Sequence, residues 1–141
     1  MEHESPAGWR MAMLSHVGRV RARNEDFVFC DEAPGIAVLA AGMGGHAGGH
    51  VAARLAVDAW VGRIRKCLVE PLGERDLRVA VADANRVVFA AACADPALRR
   101  MGTTLVAACF RRDDTLLTCN VGDSRLYRLR GDVLSCLTRD H

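Results

Sequence analysis

Between residues 38 and 56 the chain reads VLAAGMGGHAGGHVAARLA. An apolar run meets a cluster of glycines and two histidines, then resumes with helical spacing. The run predicts a strand and the periodic residues after it a helix. The glycines between them predict a turn where backbone comes close to something small and charged. The residue just before the first glycine is Ala41, whose methyl can ligate nothing.

Upstream, FVFCDEAPGIAVLAA (27–41) holds two apolar runs broken by Asp31, Glu32, Pro34 and Gly35, the pattern of two strands joined by a turn. The polar RVRARNED (19–26) reads as a loop, and MAMLSHVG (11–18) as a short strand running into a turn at Gly18. Downstream, Val51, Ala52, Leu55, Ala56, Ala59, Trp60, Ile64 and Cys67 recur at three- and four-residue spacing. They predict a helix from His50 to about Leu68, with Arg54, Asp58, Arg65 and Lys66 on its other side. A second helix, 74–94, places Leu77, Ala80, Val81, Ala84, Val88, Ala91 and Ala92 on one face and stops before Pro96.

Beyond it TTLVAACF and TLLTCNVG flank RRDD, a hairpin pattern. SRLYRLRGD alternates Leu126, Tyr127 and Leu129 with arginines before a turn at Gly131 and Asp132. Strands, two long helices, then strands again argue for an α+β protein with antiparallel sheets, not alternating βαβ units.

Composition excludes several functions. Half of the 141 residues are hydrophobic, 26% are charged, and the net charge is only +2. The arginines of RVRAR (19–23) therefore read as a solvated face, with no nucleic acid as partner. No apolar run approaches the roughly 20 residues a bilayer requires. MEHESPAGWR lacks the basic and apolar regions of a signal peptide. The expected location is cytoplasmic, with no membrane partner. The six cysteines (30, 67, 93, 109, 119, 136) show neither C-x-x-C nor zinc-ligand spacing and read as reduced thiols. Cys109 and Cys119 are expected to face each other across the 101–120 hairpin, without a disulfide.

Three segments carry chemistry: GRVRARNED (18–26), AGMGGHAGG (41–49) and MGTTLVAACF…NVGDSRLYRLRGDVLSCLTRDH (101–141). In isolation each is ordinary. The glycine run lacks the G-K-[ST] ending of a nucleotide-binding loop, and His46 and His50 lack the Glu and third ligand of a zinc site. Asp123 and Ser124 alone would be a plain turn. Together, their order and spacing resemble the N-terminal half of the bacterial metal-dependent protein phosphatases of the PP2C family. That family's pattern runs N-E-D, D-G-M-G-G-H, G-T-T, N-V-G-D-S-R-x-Y and L-T-x-D-H. The likeness extends from Ser15 to His141.

The resemblance implies part of a four-layer α/β/β/α sandwich, here a single truncated domain over 1–141. It implies a centre of two Mn²⁺ or Mg²⁺ ions, with a third in some members, at which a metal-bound water attacks phosphoserine or phosphothreonine of a protein substrate. Arg21 would clamp the phosphate, its planar fork suiting phosphate oxygens. Glu25 and Asp26 would reach the metals through water. The Gly42 carbonyl would be a direct ligand, His46 would protonate the leaving alkoxide, and Asp123 would help hold the third metal. His16, Asp140 and His141 carry no assigned role.

The chain departs from the pattern at Ala41, where the family has the aspartate that bridges both metals. Two dications about 3.5–4 Å apart need a shared anion to offset their repulsion. The family's remaining ligand aspartates lie in its C-terminal half. Weak or absent metal binding and weak or absent turnover are therefore expected of this chain. The alternative to an enzyme is a phosphoprotein-binding pseudophosphatase or a non-functional fragment.

Overall fold

A computed structural model describes residues 8–44, 48–68 and 71–141. The two apolar runs before the glycines form β1 (Asp26–Asp31) and β2 (Ile36–Met43), antiparallel and in register from Asp26 opposite Ala41 to Asp31 opposite Ile36. Their turn closes with the Gly35 N–H donating to the Glu32 carbonyl at 3.1 Å. Next come α1 (Gly48–Cys67), α2 (Glu74–Ala94) and a single 3₁₀ turn over Pro96–Leu98. The rest is strand: β3 (Gly102–Thr103), β4 (Leu105–Phe110), β5 (Leu116–Val121), β6 (Tyr127–Arg130) and β7 (Val133–Cys136).

The first five strands make one antiparallel sheet in the order β1-β2-β4-β5, with β3 continuing β4's side against the far end of β2. Both helices lie on one face of it. Period two decides which side chains meet them. Phe27 and Phe29 from β1, Ile36, Val38 and Ala40 from β2, and Leu105, Ala107 and Cys109 from β4 all point at the helices. There they meet Ala53, Ala56, Val57, Trp60 and Ile64 of α1 and Leu77, Ala80 and Ala84 of α2. Trp60, Ile36 and Ile64 are wholly enclosed. Each such side chain contributes about 1.5–3 kcal/mol through burial. On the helix layer's surface an Arg63–Asp83 ion pair ties α1 to α2, and the Asp76 carboxylate accepts from the Gly73 N–H at 2.9 Å to start α2.

The α+β class, the antiparallel sheets and the two long helices agree with the sequence, and the helix layer with its sheet supplies two of the four expected layers. β6 and β7 form a separate two-stranded ribbon. One of its faces, with Tyr127 and Leu129 opposite Cys136 and Leu134, is apolar and exposed.

Three local expectations change. Residues 11–17 enter no sheet: an apolar alternation needs a neighbouring strand, and this segment instead gives its Met11 N–H to the Glu32 carboxylate at 2.7 Å. The expected strand over 103–110 is interrupted at Thr104. Cys109 lies opposite Leu117 and Cys119 opposite Ala107, so the two thiols share the helix-facing side diagonally and do not face each other directly. No helix among the described residues is long and apolar enough to cross a membrane.

Candidate metal and phosphate site

The start of β1 and the end of β2 are neighbours, and this brings most of the expected site residues together. Asp26 stands opposite Ala41 in the ladder, and the Gly42 N–H donates to the Glu25 carbonyl at 2.9 Å. The Asn24 side chain accepts the Asp26 N–H at 3.0 Å, shaping the entry into β1. Arg21 is largely exposed, with Nη1 4.0 Å from Oε2 of Glu25, whose side chain is only 14% exposed. One turn of polar chain thus presents a guanidinium to solvent and tucks a carboxylate inward.

The glycines explain why the carboxylate fits there. A Cβ on Gly49 would stand 2.7 Å from Cδ of Glu25, so the Glu25 carboxylate occupies the space a side chain would take. It thereby abuts the first turn of α1, which carries no acidic residue of its own, where partial positive charge favours an anion. A Cβ on Gly42 would overlap the Gly49 carbonyl, so β2 and α1 touch backbone to backbone. Gly42 and Gly49 are therefore required by close approach.

Asp123 is exposed in the loop after β5. Its neighbour Ser124 reaches the β2 end through Thr104: the two hydroxyls are 2.6 Å apart, and the Thr104 hydroxyl accepts the Ala41 N–H at 3.1 Å. The expected acid, His46, falls at residues 45–47, outside those described.

Asp140 and His141, which carry no assigned role above, hold this loop. Asp140 takes two hydrogen bonds from Arg125, at 3.0 and 2.7 Å. That bidentate contact holds the Asp140 carboxyl below the usual carboxylate range and raises the guanidinium. His141 accepts the Gly122 N–H on Nδ1 at 3.2 Å and returns its own N–H to the Gly122 carbonyl at 3.1 Å. Thr104, Ser124, Asp140 and His141 all lie within the motifs quoted above, but spacing alone does not reveal that they bond one another.

As a metal centre the donor set falls short. Among the described residues no three His, Cys, Asp or Glu side chains gather to hold an ion. Opposite Asp26 stands the methyl group of Ala41, which can ligate nothing. The oxygens of Glu25, Asp26 and Gly42 do not by themselves fix a pair of divalent cations.

The sequence profile of the family described as protein phosphatase 2C matches residues 15–141. A serine/threonine phosphatase stp of Listeria innocua is 39% identical over 132 residues, covering 88% of this chain and 51% of that protein. Among solved structures, the serine/threonine phosphatase PstP of Mycobacterium tuberculosis is 39% identical with a TM-score of 0.80, over 90% of this chain and 52% of its own. A PstP catalytic domain in complex with two manganese ions is 38% identical with a TM-score of 0.78, over 90% of this chain and 54% of its own. The chain spans about half the length of these relatives.

Proposed function

Because the chain belongs to the protein phosphatase 2C family, we propose that it is the N-terminal half of a serine/threonine protein phosphatase domain that engages phosphorylated protein without hydrolysing it. The observation that carries this reading is the register of β1 on β2. It sets Ala41 opposite Asp26 and beside Gly42, and the family resemblance assigns the bridging aspartate to position 41. A methyl there neither shares its charge between two dications nor orients a water, so the attacking nucleophile has no holder.

What this chain retains is a means of recognising phosphate. Arg21 is exposed, and Glu25 beside it lies 4.0 Å away, close enough to orient the guanidinium and too far to saturate its donors. Phosphoserine or phosphothreonine offers three acceptor oxygens to that fork. On the family resemblance, Gly42, Glu25, Asp26 and Asp123 would supply the remaining metal contacts of this half.

The test is binding of a fluorescent phosphothreonine peptide, followed by anisotropy, against its unphosphorylated twin. The phosphorylated peptide is expected to bind more tightly. Arg21→Ala is expected to weaken that binding by about tenfold, the loss of one charge-assisted contact. Equal binding of the two peptides, or an Arg21→Ala variant that binds as before, contradicts the proposal.

A further inference from the structure

Thr104 is the one buried polar or charged residue among those described, 4% exposed. Every part of it is committed. Residues 102–110 run antiparallel to 36–43 in one continuous register, and within it Thr104 stands opposite Ala41. Such a pair in an antiparallel ladder exchanges two backbone bonds. Here one is regular: the Thr104 N–H donates to the Ala41 carbonyl at 3.0 Å. The other is not. The Ala41 N–H donates to the Thr104 hydroxyl at 3.1 Å, and the Thr104 carbonyl instead accepts from the Thr103 hydroxyl at 2.9 Å. This substitution is why the strand is interrupted between β3 and β4.

The same hydroxyl lies 2.6 Å from that of Ser124. A hydroxyl that accepts from Ala41 still has a proton to give and a second lone pair to offer, so it bonds Ser124 whichever of the two donates and serves the strand and the loop at once. The methyl of Thr104 is committed too. Gly122 has φ +95°, and a Cβ placed on it would stand 2.7 Å from the Thr104 methyl, so the loop folds directly over this side chain.

We infer that Thr104 is a positioning residue, which fixes the Gly122–Asp123–Ser124 loop relative to the Ala41–Gly42 end of β2. The inference rests on the reading of Ala41–Gly42 and Asp123 as two parts of one metal and phosphate site. Its physical content is separable: a displacement of the loop is transmitted to the Ala41 amide through one hydroxyl. Serine keeps the hydroxyl and loses the methyl, whereas valine keeps the shape and loses the hydroxyl. The two substitutions therefore dissect the residue.

The experiment is amide hydrogen exchange and ¹H–¹⁵N chemical shift at Ala41 in the 141-residue chain and four variants. Thr104→Val is expected to speed exchange at Ala41 by about tenfold, as an N–H loses its acceptor. Thr104→Ser is expected to restore it to within about threefold of the parent, the lost methyl loosening the loop slightly. Ser124→Ala is expected to shift the Ala41 amide resonance in the parent, but not when Thr104→Val is already present. This non-additivity is the signature of transmission, which a merely structural Thr104 would not give. Unchanged exchange in Thr104→Val, or a Ser124→Ala shift that persists without the hydroxyl, overturns the inference. Failure of phosphopeptide binding would instead count against the proposed function and leave these exchange results standing.

Discussion

Gly42 and Gly62 are the same residue type under opposite demands. Gly42 touches the backbone of α1, and any Cβ there would overlap the Gly49 carbonyl. Gly62 lies exposed in α1 with open space around its missing side chain. Gly42→Ala is expected to destabilise the chain by about 3 kcal/mol, the upper part of the usual range for overpacking. Gly62→Ala is expected to stabilise it by about 1 kcal/mol through helix propensity. Urea unfolding monitored by far-UV circular dichroism measures both, with midpoints moving in opposite directions. A Gly42→Ala midpoint equal to the parent's would mean that β2 and α1 do not meet at this point. At this scale the motifs name residues that the fold brings side by side and are silent about how they bond. Ala41, Gly42, Glu25 and Asp26 were legible from motif order. The exchange of carbonyl for hydroxyl at Thr104 was not, because it depends on a loop twenty residues away.

The strands and helices bury the Cys109 thiol and half-bury that of Cys119, and the pair has a definite pH signature. Burial between β4 and the helices pushes the Cys109 thiol up to about 12 from an ordinary value near 9, with neighbouring Cys119 adding to the shift. Burial likewise pushes Cys119 up to about 11, the Trp60 indole pulling slightly the other way. In the unfolded chain both thiols ionise near 9, while in the folded chain they hold their protons longer. The folded state therefore binds more protons above pH 9, and stability falls as pH rises. Their contribution is fully present below about pH 9 and is lost progressively up to about pH 12. Replacing both with serine, whose hydroxyl does not titrate there, is expected to flatten the fall in urea midpoint between pH 9 and pH 10.5. A slope as steep as the parent's would contradict the burial of these thiols. The helices were legible here because their period of 3.6 runs uninterrupted, and the observed limits lie close to those expected. Residues 11–17 misled for the converse reason. Their alternation resembles a strand, but a strand exists only where a neighbour takes its backbone groups.

For the whole molecule, the helix layer on a five-stranded sheet follows from the order of predicted elements. The detachment of β6–β7 as a ribbon does not, since nothing in their alternation says which sheet they join. The ribbon nevertheless matters to the site. Arg125 before β6 and Asp140 after β7 close on each other, and His141 closes on Gly122, so the loop bearing Asp123 is held from both sides. In the same frame the methyl of Ala41 stands opposite Asp26, at the end of β2. The most direct test is phosphate release from a phosphothreonine peptide as Mn²⁺ is raised, using the chain as it stands, with Ala41→Asp measured alongside to locate any gain. No release above the enzyme-free blank is expected from the parent chain at any Mn²⁺ concentration. Release that grows with Mn²⁺ and stops on adding a chelator, in the chain that carries Ala41, would contradict it.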